Sequence, residues 1–155
     1  MIRVLFVCLG NICRSPMAEA VRNIVKEDGL SDKIEIDSAG TGDWHVGNPP
    51  HEGTRKILDT NRIDYIGMKA RKVFTGDLTR FQYIICMDAE NLGNLHRMAG
   101  YSETGFIGRL MDFVENSEID DVPDPYFTGN FDEVYEMVTE GCKGLLKTIK
   151  EENNL

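Results

Sequence analysis

The run Cys8-Leu9-Gly10-Asn11-Ile12-Cys13-Arg14-Ser15-Pro16 sets a thiol and an arginine at the two ends of a five-residue loop. Before it, Ile2-Arg3-Val4-Leu5-Phe6-Val7 reads as a short, mostly apolar strand that ends at Cys8. After it, Ser15 reads as an N-cap and Pro16 as the first residue of a helix, where a missing N–H costs nothing. The loop N–H groups then turn inward at a helix N-terminus, which makes an anion site. A thiol held there is favoured as thiolate, because the dipole, the amides and Arg14 all stabilise negative charge. The planar fork of Arg14 can hold two oxygens of one anion, which a lysine cannot copy. A cation beside the positive end of a helix is electrostatically uphill unless an anion shares the place.

The elements that must position this loop follow from apolar spacing. Met17, Val21, Ile24 and Val25 share a helical face that closes at Gly29. Residues 33–39 read as a strand, followed by a Gly- and Pro-rich loop over residues 41–50 and a helix over residues 51–61. Residues 81–87 read as a buried strand, after which Asp88 caps a helix carrying Leu92, Leu95 and Met98. A strand over residues 105–110 and an acidic loop lead to a long amphipathic helix running from Phe131 to Ile149. Asn130 and Glu133 read as its capping box, and Lys143, Lys147 and Lys150 suit its C-terminal dipole. Strands alternating with helices imply right-handed crossovers and a parallel sheet covered on both faces. Ligands bind such sheets beyond the carboxyl ends of strands, where the strand order reverses, and Cys8 lies at such an end.

Composition narrows the partners. The 155 residues suit one domain spanning residues 1–155, and 17 basic against 26 acidic side chains leave a net charge of −9. That charge argues against nucleic acid and against an anionic membrane surface as partners. No apolar run is long enough to span a bilayer, and no signal segment is evident. Four cysteines without a secretory signal read as free thiols, hence a cytoplasmic protein. No cofactor and no metal are called for: no two cysteines are spaced as zinc ligands, and His45, His51 and His96 are scattered.

The loop resembles the signature of the low-molecular-weight protein tyrosine phosphatases. The resemblance continues through Asp37-Ser38-Ala39-Gly40, Trp44, residues 83–88 and Val122-Pro123-Asp124-Pro125-Tyr126, in order along nearly the whole chain. It implies a flavodoxin-like three-layer α/β sandwich with a four-stranded parallel sheet and helices on both faces. It also implies metal-independent hydrolysis of protein phosphotyrosine and small aryl phosphates through a cysteinyl-phosphate. Cys8 is then the nucleophile and Arg14 the phosphate clamp, while the main chain of Leu9, Gly10, Asn11, Ile12 and Cys13 holds the phosphate oxygens.

Other roles rest on the resemblance alone. Ser15 would also donate its hydroxyl to the Cys8 sulfur, and Asn11 would pair with Ser38 behind the loop. Met68 stands where some relatives carry a histidine in that network. Asp124 between two prolines reads equally as turn chemistry, with Asp120 and Asp121 as rivals for a general acid; the match of Asp124-Pro125-Tyr126 to the family pattern selects Asp124. Trp44, Tyr126 and Phe127 read either as core or as the walls of a slot for a phosphotyrosine ring. Phe127 stands where many relatives have a second Tyr. Cys13 is either an apolar loop contact or, as in family members, the partner of Cys8 in a protective disulfide. Cys86 and Cys142 read as core. Exposed aromatics at the cleft mouth are compatible with a monomer that self-associates weakly. The rival readings are an arsenate reductase, a phosphocysteine carrier and a phosphotyrosine-binding pseudophosphatase.

Overall fold

The computed structural model describes residues 1–155. Four strands, β1 (Ile2–Cys8), β2 (Ile34–Gly40), β3 (Tyr83–Cys86) and β4 (Phe106–Arg109), form one sheet in the order β2-β1-β3-β4. Every neighbouring pair is parallel, with Ile2 opposite Ile34, Cys8 opposite Gly40 and Val7 opposite Cys86. Strands buried on both sides need apolar residues at successive positions, and Val4, Leu5, Phe6 and Val7 are all at 0% exposure.

The alternation of these side chains divides the core in two. Val4, Phe6, Ile34, Ile36 and Ile85 face α1 (Arg14–Ala18), α2 (Val21–Glu27) and α7 (Phe131–Glu152). Leu5, Val7, Ile84 and Cys86 face α4 (Thr75–Arg80) and α5 (Ala89–Ala99) through Leu78 and Leu95. Two further helices, α3 (Glu52–Thr60) and the single turn α6 (Pro125–Thr128), stand near the carboxyl end of the sheet's central strands. The result is the three-layer sandwich expected from the alternating pattern. The chain leaves β1 for β2 on one side and then crosses to β3 on the other. The strand order therefore reverses at β1, and Cys8 closes that strand.

Several elements differ from the sequence reading. The helix expected after Ser15 is broken: at Glu19 and Ala20 the hydrogen bonds tighten to i→i+3, with Ala20 N–H on Met17 C=O and Arg22 N–H on Glu19 C=O. Ser15 is not the cap either. The helix begins at Arg14 with Cys13 at N-cap, so Pro16 is its third residue, still within the first turn, whose N–H groups lack helical acceptors. The capping box of α7 is replaced by a side-chain pair, in which Asn130 Nδ2 donates to Glu133 Oε2 at 3.2 Å. Helix α4 was not expected, because six residues with one buried leucine show no period. It is held by the Asp77 carboxylate, which accepts the Phe74 N–H at 3.0 Å. A 3₁₀ turn at Leu110–Phe113 likewise occupies what reads as plain acidic loop.

Candidate active site

The loop after β1 is held from outside by its carbonyls. Thr41 N–H bonds to Cys8 C=O and Gly42 N–H to Leu9 C=O, both at 2.9 Å, while His51 N–H bonds to Ile12 C=O at 2.7 Å. The N–H groups of Leu9, Gly10, Ile12, Cys13 and Arg14 find no protein acceptor, whereas the Asn11 N–H points at Cys8 Sγ from 3.2 Å. A ring of unmatched donors around one sulfur is a cradle for an oxyanion. The turn requires a left-handed residue, and Asn11 supplies it at φ 58°. Gly40 is needed opposite, since a Cβ there would lie 2.8 Å from Leu9 C=O.

Arg14 enters the same place as one of the most buried side chains in the protein, 2% exposed. Its Nη1 donates to Asp88 Oδ2 at 2.5 Å and to Val122 C=O at 2.9 Å, and its Nη2 reaches Asp124 Oδ2 at 3.4 Å. Its Nε is buried without a partner. Burial works against its charge, but Cys8, Asp88 and Asp124 outweigh burial and hold the guanidinium above its ordinary value. The Nε–H and the second Nη2 proton therefore stay unspent beside the loop. Asp88 caps α5 with its other oxygen, accepting Asn91 N–H at 2.8 Å. Its cap role is legible in the chain; its grip on Arg14 is not, because the two meet only when β1 and β3 lie side by side.

Cys8 forms the floor of a cavity of about 290 Å³ whose walls include Leu9, Gly10, Ile12, Cys13, Trp44, Asp124, Tyr126 and Phe127. Trp44 and Phe127 are 70% and 72% exposed, so these rings are a rim and not core. Asp124 takes the turn position and also reaches the cavity. It caps α6, accepting Tyr126 N–H at 3.1 Å, and it faces the cavity. Asp121 turns away to Ala89 N–H and Arg109, and Asp120 is exposed and outside the cavity wall. His45 completes the wall, packed against Tyr126 at 5.7 Å between centroids. A lone histidine in a loop carries no sequence signal for such a place.

Behind the loop runs a line of hydrogen bonds. Ser15 Oγ lies 3.0 Å from Cys8 Sγ, and Asn11 Nδ2 donates to Ser15 Oγ at 2.8 Å and to Ser38 Oγ at 2.9 Å. Asn11 Oδ1 accepts Arg71 N–H at 3.0 Å. The Ser38 hydroxyl donates to Glu19 Oε2 at 2.6 Å, and Arg22 Nη2 donates to Glu19 Oε1 at 2.7 Å. Burial raises the Glu19 carboxyl above its usual range, against the opposing pull of Ser38 and Arg22. Met68 lines a small cavity beside Asn11, Ser38 and Glu19. Glu19 is missed by sequence reasoning, since one acidic residue in a helix is ordinarily a solvated one.

The other thiols differ from Cys8 in setting. Burial, then the neighbouring Cys8 and Asp124, push the Cys13 thiol up to about 12, and burial pushes Cys86 up to about 12. Burial also raises Cys142, on the apolar face of α7. All four cysteines are free. No three His, Cys, Asp or Glu side chains are grouped to hold a metal ion, and no helix is long and apolar enough to cross a membrane.

The chain matches the family model described as "Low molecular weight phosphotyrosine protein phosphatase" over residues 3–155. It is 58% identical, over 100% of both chains, to the low molecular weight protein-tyrosine-phosphatase YfkJ of Bacillus subtilis. The crystal structure of YfkJ superposes with a TM-score of 0.96 over 98% of this chain and 96% of that one. The PtpA phosphatase of Staphylococcus epidermidis is 48% identical over 100% of this chain and 98% of its own. DARP, a Drosophila arginine phosphatase, is 34% identical with a TM-score of 0.88, over 95% of this chain and 97% of that one. Matched along its length in both sequence and backbone, the chain belongs to the low molecular weight protein-tyrosine-phosphatase family and is a phosphatase with the flavodoxin-like fold.

Proposed function

We propose that the enzyme hydrolyses protein phosphotyrosine by two displacements on Cys8, without a metal, in the cytoplasm. The observation that carries this reading is the set of unmatched N–H donors and the unspent Arg14 Nε around one sulfur, at the floor of an aromatic-walled cavity. In the first displacement the Cys8 thiolate attacks phosphorus and the bond to the tyrosyl oxygen breaks. Asp124 gives its proton to that oxygen. The loop amides and Arg14 hold the three equatorial oxygens as charge redistributes. In the second displacement water loses a proton to Asp124 and attacks phosphorus. The S–P bond breaks, and the thiolate leaves towards the Ser15 hydroxyl. Trp44, Tyr126 and Phe127 clamp the ring and leave its phosphate at the loop; the residue next to phosphotyrosine then lies against the exposed rim.

Turnover of an aryl phosphate in EDTA by the parent, Cys8→Ser and Asp124→Ala tests this directly. Cys8→Ser gives no turnover. Asp124→Ala loses on the order of 10²–10⁴-fold with a poor leaving group and much less with a good one. Equal losses on both remove Asp124 from the acid role. Because one solved relative is an arginine phosphatase, phosphoarginine is the discriminating second substrate. The apolar walls favour a phenyl ring over a guanidinium, so kcat/KM for phosphotyrosine is the larger of the two.

A further inference from the structure

The negative charge of the chain is not spread over its surface. Residues 41–54, which carry Trp44 and His45, and residues 118–133, which carry Asp124, Tyr126 and Phe127, contain no lysine and no arginine. They hold eight acidic side chains, while the rest of the chain is nearly balanced, with 17 basic against 18 acidic. Asp124 is spent on Arg14, Asp121 on Arg109 and Glu52 on Lys56, and Glu133 accepts from Asn130. Asp43, Glu118, Asp120 and Asp132 are exposed and make neither an ion pair nor a side-chain hydrogen bond. Three of these adjoin the cavity wall from different segments. Asp43 precedes Trp44. Asp120 lies just before Val122, whose N–H bonds to Met87 C=O at 2.8 Å and whose carbonyl accepts from Arg14. Asp132 follows Phe131, whose ring stacks on His51 at 5.1 Å, and His51 meets Tyr126 at 5.8 Å.

We infer that the protein substrate presents its phosphotyrosine among lysine or arginine residues, which the carboxylates of Asp43, Asp120 and Asp132 select around the aromatic rim. The inference rests on the phosphotyrosine reading proposed above and names the substrate class for that same site. Flanking residues within about three positions lie within roughly 10 Å along an extended chain, which is about one Debye length at about 0.1 M salt. The rim itself suits a cation, since Trp44 and Phe127 lie mostly open and Tyr126 half open. An ammonium or guanidinium over such a face is attracted by the ring, its alkyl stem covers apolar surface, and a nearby carboxylate adds to the attraction. An acidic side chain in the same place gains none of this and meets like charge. The phosphate is provided for separately, by the unmatched loop amides and by the buried Arg14, whose Nε has no partner. No lysine or arginine stands in the cavity wall to receive an acidic flank. A surface charged for solubility alone would intersperse both signs here as it does elsewhere.

Two phosphotyrosine peptides of equal length test this beside a small aryl phosphate, one peptide with lysines on both sides of the phosphotyrosine and one with glutamates. At an ionic strength of about 0.02 M the basic peptide has the larger kcat/KM by at least about fivefold, mainly through KM. The ratio shrinks to within about twofold at about 0.5 M salt, because exposed charges are screened. Combining Asp43→Asn, Asp120→Asn and Asp132→Asn lowers the ratio at low salt at least about twofold and leaves kcat for the aryl phosphate within about twofold of the parent. The salt series uses the parent alone, so it decides the matter even where the triple variant is unstable. A ratio within about twofold at low salt, a preference for the acidic peptide, or a preference that salt leaves intact overturns the inference. So does a folded triple variant that keeps the full preference. The aryl phosphate separates the two claims. Its hydrolysis with neither peptide turned over removes the phosphotyrosine reading and this inference with it; both peptides turned over alike removes only the choice of flank.

Discussion

Cys8 and Cys13 are five residues apart in one loop and differ in almost everything that governs a thiol. Cys8 Sγ accepts the Asn11 N–H, lies 3.0 Å from the Ser15 hydroxyl and stands beside Arg14. Cys13 is at the helix N-cap, buried, with Cys8 and Asp124 as unfavourable neighbours, and its thiol is pushed up to about 12. Peroxide then oxidises Cys8 first, because burial and the neighbouring Cys8 and Asp124 hold the Cys13 thiol in its unreactive protonated form. Closing a disulfide needs the Cys13 proton removed, so the reaction that protects Cys8 gains speed as pH rises. Exposure to peroxide followed by dithiothreitol should restore activity, with recovery greater at about pH 8.5 than at about pH 6.5. Cys13→Ser should lose activity irreversibly under the same exposure. Equal recovery by that variant would exclude the Cys8–Cys13 bond.

Among the elements, α7 is held against the 3₁₀ turn that follows β4 by an approach that only glycine permits. A Cβ at Gly144 would sit 2.0 Å from the Phe113 carbonyl oxygen in the 3₁₀ turn Leu110–Phe113, and one at Gly141 would lie 2.5 Å from Leu110 Cγ. The obstacle at Gly144 is backbone, which cannot rotate aside. Alanine in an exposed helix interior stabilises by roughly 1 kcal/mol relative to glycine, but here overpacking costs about 1–3 kcal/mol. Gly144→Ala should therefore destabilise, read as a lower urea midpoint with an unchanged slope. A rise in the midpoint would mean that the helix moves freely against the turn. The same logic of close approach explains why Asp88 and Arg14, distant in the chain, can share a 2.5 Å hydrogen bond: adjacent parallel strands deliver them to one edge.

Over the whole molecule, a net charge of −9 surrounds a site that must attract a dianion. The contrast is resolved locally, by unmatched amides and a buried arginine where the strand order reverses. Glu19 brings one more negative group into the interior, and its surroundings are mixed: Arg22 from α2 and Arg71 before α4 lower its carboxyl, while burial and Asp37 from β2 raise it. Burial dominates, so the folded protein binds the Glu19 proton more tightly than the unfolded chain does. Its stabilising contribution is complete below the ordinary carboxylate range and is lost as pH rises through the folded titration. Measured by urea denaturation, the parent should be most stable relative to Glu19→Gln in acid and lose ground as pH rises. The opposite trend would mean that Arg22 and Ser38 outweigh burial.

What lay open in the residue order was local. The Cys8 to Arg14 spacing, apolar runs of period two and 3.6, and the Asp124-Pro125-Tyr126 turn pointed to a parallel α/β sheet with an anion loop at the end of its first strand. Each depends on neighbours within a few positions. The broken first helix, the short α4 and the loss of Ser15 as a cap were hidden because they are set by side chains arriving from elsewhere: Ser15 is drawn to Cys8 and Asn11, and Asp77 holds α4 together with Arg71. Likewise nothing in the chain marks Glu19, Asp88 or His45 for the site. Their parts are assigned by contacts between strand ends and loops, and such contacts exist only once the sheet has brought residues 8, 38, 88 and 124 to the same edge.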